Sequence, residues 1–362
     1  MSGGDIALRD SRRALPPGRW VLLGCAGFLL VALIASLAIG PVVIAPQRIL
    51  GILYDALWGV RAQSGIDMRD AIVVLDIRLP RTILAAIVGA TLAMAGAVLQ
   101  GIFRNPLADP GLVGVSPGAA LAAVAWIVFG AFALPFLPGV LFSYALPLAA
   151  FLGSLISTLL LHRLATVNGR TPVANLLFAG IALGALASAG TGLIIFVASD
   201  QQLREFTFWT LGSLGGSTWT RVMLALPFAI LLFLGTLRLA RGLDALALGE
   251  AEAFHAGIDV ERLKRFAIVI VAAGVGAAVA VAGVIGFVGL VVPHLLRLTA
   301  GPAHRRLLIG SALLGAALLT ASDIFARTVA TPAELPLGVV TAFLGAPFFI
   351  WLLRRDRSLL GH

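Results

Sequence analysis

Residues 82 to 103 read TILAAIVGATLAMAGAVLQGIF, a run without one charged side chain, entered through Arg81 and left through Arg104. At 1.5 Å per residue such a helix is about 33 Å long, which matches the roughly 30 Å hydrocarbon core of a bilayer. Apolar side chains cover every face of that helix, leaving no polar stripe for water. The run is therefore read as a helix that crosses a membrane, satisfying its own backbone hydrogen bonds where lipid offers none.

Nine more runs of this kind lie outward from it, at 20–40, 111–130, 142–162, 173–198, 219–237, 266–284, 286–300, 307–326 and 337–353. The runs at 266–284 and 286–300 are parted only by the glycines Gly283, Gly286 and Gly289. Composition agrees: 60% of the 362 residues are apolar, 12% are charged and mean hydropathy is +1.03, against roughly 45–50% apolar in soluble domains. A soluble enzyme is excluded. The expected fold is all-α and polytopic, with about ten transmembrane helices in one domain from 20 to 355, flanked by tails at 1–19 and 356–362.

Of 26 basic residues, 25 are arginine and one, Lys264, is lysine. With the N-terminus in the cytoplasm, 18 basic residues fall on inner segments and 8 on outer ones, which places both termini inside. Short clusters between apolar runs are what a membrane protein does with cytoplasmic charge, so nucleic acid is not an expected partner. Five of the outer arginines, Arg48, Arg61, Arg69, Arg78 and Arg81, lie in an external segment, 41–81, where an amphipathic surface helix is expected near Gln47 to Trp58. The longest inner segment, 238–265, mixes Asp244, Glu250, Glu252, Asp259 and Glu261 with five basic residues. It is read either as a grip for a soluble motor or as a loop that stays wet.

None of the 17 carboxylates falls near the middle of a run; Asp323 comes closest. An ion-coupled secondary transporter, which usually neutralises its ion with a buried acid, is disfavoured. No phosphate loop is present, since Lys264 is followed by Arg265 rather than Ser or Thr. The five histidines never fall at the spacing of a helical metal pair, and Cys25 stands alone, so no metal site is expected. A faint repeat relates Ala95-Gly96 and Pro106 to Ala282-Gly283 and Pro293 at an offset of 187, as inverted halves would.

Three motifs are more specific: Arg78-Leu-Pro-Arg81, the run from Gln100 to Ala119 (QGIFRNPLADPGLVGVSPGA), and Gly286 to Arg297 (GFVGLVVPHLLR). They closely resemble the FecCD-type permeases, membrane subunits of bacterial binding-protein-dependent ABC importers for ferric siderophores, haem and cobalamin, over about residues 20 to 355. The resemblance implies a cobalamin-importer-type (type II ABC importer) fold in the inner membrane. It also implies a homodimer, two cytoplasmic ATPase subunits that bind the ATP, and a periplasmic substrate-binding protein; no cofactor is expected on this chain. The family's docking arginines fall on Arg78, Arg81 and, less securely, Arg327. Its coupling segment, L-G-x-x-x-A-x-x-L-G, falls on Leu248, Gly249, Glu250, Ala253 and Gly257, with Ala256 where leucine is usual.

Cargo is read from overall similarity as haem, with a ferric siderophore or cobalamin as the alternatives. His294 belongs to the shared motif and is read as structural. His255, within the coupling segment, offers an imidazole to haem iron on exit, beside the plainer reading of a surface histidine. Removing the charge of Glu250 or Glu252 is expected to change little, because exposed pairs contribute about 0–1 kcal/mol.

Overall fold

The computed structural model describes residues 18–59, 65–132 and 139–357. Arg9, Arg12, Arg13 and Arg61, and the last residues of the C-terminal tail, lie outside them. Among the described residues fourteen α-helices occur. They are α1 (Gly18–Ala38), α2 (Pro46–Leu57), α3 (Gly65–Ile72), α4 (Leu79–Phe103), α5 (Val115–Phe129), α6 (Gly139–Ala165) and α7 (Val173–Phe196). Then come α8 (Asp200–Thr210), α9 (Trp219–Leu248), α10 (Glu250–His255), α11 (Val260–Ala282), α12 (Val288–Ala300), α13 (His304–Val329) and α14 (Leu337–Arg357).

All ten apolar runs are helical, but not all are full spans. Among the described residues eight helices are long and apolar enough to cross a membrane, whereas α12 and the apolar part of α14, Leu337–Trp351, are shorter. The 13 residues of α12 reach only about 20 Å. The surface helix expected near Gln47 is α2, led by Pro46 at its first turn. It buries Ile49 against Ile44 and Val74 and leaves Leu50, Tyr54 and Leu57 exposed, as suits a helix lying at a membrane interface.

Helix α4 is the axis of the molecule, buried along nearly its whole length and packed against α9, α11, α12 and α13. Glycine makes that proximity possible: a Cβ on Gly89 would overlap the Gly315 carbonyl of α13, and one on Gly96 would overlap the Gly289 carbonyl of α12. Backbones approach this closely in membranes because burial between helices gains nothing over lipid, and dispersion must hold them instead. The same device joins α5 to α6, where Gly118 and Gly153 face one another.

The repeat suggested by the 187-residue offset does not appear at those residues. Ala95 and Gly96 lie inside continuous α4, whereas Gly283 terminates α11 at φ +72°. Between α11 and α12 the chain is irregular, and protein covers it: Ser213 N–H donates to the Ala282 carbonyl at 2.9 Å, and Gly212 and Gly338 lie so near that a Cβ on either would crowd the Val284 carbonyl. Irregular backbone at membrane depth survives only when so covered.

Candidate functional site

The two ends of α4 carry the polar chemistry. At its C-terminal end Phe103 and Arg104 border a cavity of about 500 Å³ that Glu250, Glu261 and Lys264 also line. Here α10 forms a short bracket between α9 and α11. Gly249 enters it at φ +144° and Gly257 leaves it at φ +80°, conformations that an L side chain resists. Ala253 is fully buried beneath the bracket, while Leu248 and Phe254 are 75% and 71% exposed. Asp259 caps α11 by accepting from the Arg262 N–H at 3.0 Å.

Glu250 is more constrained than its sequence suggests. Its Oε1 accepts from Lys264 Nζ at 2.8 Å, and that ammonium is 1% exposed. The expectation that Glu250 forms only an exposed pair is therefore corrected: Glu250 is half exposed, but its partner Lys264 is buried. Nothing in the sequence announced this bond, apart from the rarity of lysine itself.

At the N-terminal end of α4 the three arginines expected to face a partner are folded inward. Arg78, Arg81 and Arg327 are 3%, 7% and 4% exposed. Arg81 places Nε 3.1 and 3.0 Å from the two Asp323 oxygens, and its Nη1 and Nη2 2.7 and 3.0 Å from those of Glu334. Arg78 donates to the carbonyls of Leu37, Ala38 and Val42. Arg327 donates to the Ser36 carbonyl at 2.6 Å and to its hydroxyl at 2.9 Å, and that hydroxyl also meets Thr82. Guanidiniums at this depth need acceptors, and the protein supplies them except at Arg327 Nε, which has only Asp323 at 3.8 Å. Hydrogen bonds from Arg81 hold the Glu334 carboxyl below its ordinary range. Glu334 keeps 38% of its side chain exposed, so this network reaches the surface through a carboxylate. Among the described residues, Arg69 and Arg204 are the exposed arginines of the segments read as external.

The remaining polar contacts tie helices together. Asp244 of α9 accepts from both the backbone and the ring of His304, each at 2.8 Å. Gln100 of α4 accepts from Arg297 and donates to the Gly289 carbonyl at 3.1 Å. His294 rests edge-on against Phe348. His255 is exposed beside Phe254 on a cavity of about 940 Å³. Among the described residues no group of three metal-ligating side chains occurs there or elsewhere.

Comparison with known proteins bears on the whole arrangement. The chain is 44% identical to the hemin transport system permease protein HmuU of Yersinia pestis, over 92% of this chain and 96% of that one. It is 47% identical to the cobalamin import system permease protein BtuC of Halobacterium salinarum, over 82% and 77%. A solved structure described as an inward-facing metal-chelate type ABC transporter superposes with a TM-score of 0.80 at 30% identity, over 93% of this chain and 99% of that one. Residues 28–355 match the FecCD transport family, and with ten apolar helices in that fold the chain belongs to it.

Proposed function

We propose that this chain is the permease subunit of an ATP-driven importer and that its cargo is haem. The observation that carries the reading is the α10 bracket: a short helix with Leu248 and Phe254 exposed on it, hung between two membrane helices in a chain without a phosphate loop. An ATPase that grips this bracket differently with and without ATP would bias the helix bundle between two arrangements. Both termini and α10 then lie in the cytoplasm, as the arginine asymmetry favours. The exposed apolar face of α7 suits a second copy of the chain.

On the opposite face a periplasmic binding protein docks. Arg78, Arg81 and Arg327 serve it from within: Arg81 stands on Asp323 and Glu334, and Asp70 lies near Arg78. An acidic side chain of the binding protein would take the place of Glu334 on Arg81. Haem as cargo rests on similarity to the hemin permease. Similarity to a cobalamin permease favours cobalamin as the second reading, and a ferric siderophore remains within the family's range.

The test is reconstitution in liposomes with an ATPase and a binding protein drawn from neighbouring reading frames. Haem entering only with ATP and both partners is the expected result. Uptake of cobalamin or a ferric siderophore instead would replace the cargo and leave the architecture. Vectorial transport by this chain alone, driven by an ion gradient, would overturn the importer reading.

A further inference from the structure

Lys264 is the only lysine among 26 basic residues, and it is 1% exposed. It sits in the first turns of α11, and its ammonium has three donors and three acceptors. These are the Thr171 carbonyl at 3.0 Å, Glu250 Oε1 at 2.8 Å and Glu261 Oε1 at 3.4 Å. The other oxygen of Glu261 accepts from the Thr171 N–H at 3.0 Å, so both backbone polar groups of Thr171 are held. Thr171 stands directly before Pro172, the N-cap of α7. Three acceptors around a point suit a compact ammonium better than the planar fork of an arginine.

The clasp thus joins three elements: α10 through Glu250, α11 through Lys264 and Glu261, and the entrance to α7 through Thr171. Helix α7 is the least covered of the long helices; Phe178, Ile181, Leu186, Leu193 and Phe196 are 66–89% exposed. We infer that Lys264 is a positioning residue that fastens α10 to the start of α7, so that a partner displacing α10 moves α7 with it. This rests on the importer reading above, with the ATPase as that partner.

Lys264→Met is the informative variant. It keeps the apolar stem, and it frees two carboxylates whose side chains are already 49% and 32% exposed and can hydrate. In lipid nanodiscs, with the full chain alone, hydrogen exchange across residues 250–257 should accelerate by about tenfold or more while α4 and α13 keep their protection. Lys264→Arg should recover part of that protection. In the reconstituted importer Lys264→Met should still assemble with the ATPase and hydrolyse ATP on stimulation, yet move about tenfold less cargo per ATP, a loss of coupling that general instability does not produce. Should Lys264→Met fail to express, Glu250→Gln alters only the solvent-side partner, and hydrogen exchange across α10 in the chain alone, in milder form, decides instead. Wild-type exchange at α10, or a wild-type ratio of cargo to ATP, overturns the proposal. A wild-type chain that recruits no ATPase overturns the importer reading instead, and the exchange result on the chain alone still decides whether Lys264 fastens α10.

Discussion

Arg81 and Asp323, 242 positions apart in the chain, meet through paired bonds of 2.9–3.1 Å, with Asp323 2% exposed at its side chain. The pair closes the N-terminal end of α4 onto α13. Arg81→Met leaves Asp323 buried with only the more distant Arg327 guanidinium, Nε at 3.8 Å, and should destabilise the protein by about 3–5 kcal/mol. A thermal melt in detergent, read by size-exclusion chromatography, checks this. The double variant Arg81→Met, Asp323→Leu should recover part of the loss: the stranded Asp323 carboxylate is gone, while Arg327 keeps its Ser36 acceptors without a neighbouring carboxylate.

Glu334 gives that network a pH dependence. Its carboxyl is held below the ordinary range by Arg81, so its contribution is complete above the usual glutamate value near about 4.3 and is lost as pH falls through the lower folded value. Because the side chain is partly exposed, the effect should stay under about 1 kcal/mol. Melts of wild type and Glu334→Gln should differ at pH 7 and converge in acid. If Glu334 holds the place of an incoming acid, Glu334→Gln should also tighten binding-protein association, measured as the concentration needed to stimulate ATP hydrolysis.

Gly96→Leu places side-chain atoms where the Gly289 carbonyl lies and should lower stability by roughly 1–3 kcal/mol or more, because such cores do not yield. Gly51→Leu, on the exposed face of α2 with open space around it, is the matched control and should melt like wild type.

Phe254→Glu removes an exposed apolar side chain from α10 without touching its buried underside. ATPase recruitment, followed by co-purification, should weaken by about tenfold, near 1.4 kcal/mol, with an unchanged melt. Gly257 is a poorer position for this test: space around it is open, but its φ of +80° adds backbone strain to any substitution there.

The helices were legible because lipid writes its thickness into the chain as runs of about 20 apolar residues. Even the interfacial α2 could be read, from its alternation of faces. What hid was length where a run is broken from within: the glycines Gly283 and Gly286 mark a boundary, but only the fold shows α12 stopping short at 13 residues. The polar clusters hid for a different reason. An arginine at a helix end looks the same in sequence whether it turns outward or, like Arg81, inward to an acid from the far end of the chain. Lys264 likewise lay in a segment dense with charge, where nothing distinguishes the one buried ammonium from its wet neighbours. For Arg81 the deciding acid is 242 positions away; for Lys264 the acids are near in sequence, but its burial and its bond to Thr171, 93 positions away, leave no trace in the local pattern.

The carbonyls of Gly289 and Gly315 sit where methyl groups on Gly96 and Gly89 would otherwise be. A helix notched into two neighbours in this way can neither slip by one residue nor roll about its axis without collision. The trio of α4, α12 and α13 accordingly behaves as a stator. Whatever opens and shuts a passage through this protein turns around that fixed post, on the side where α7 is least covered by its own chain.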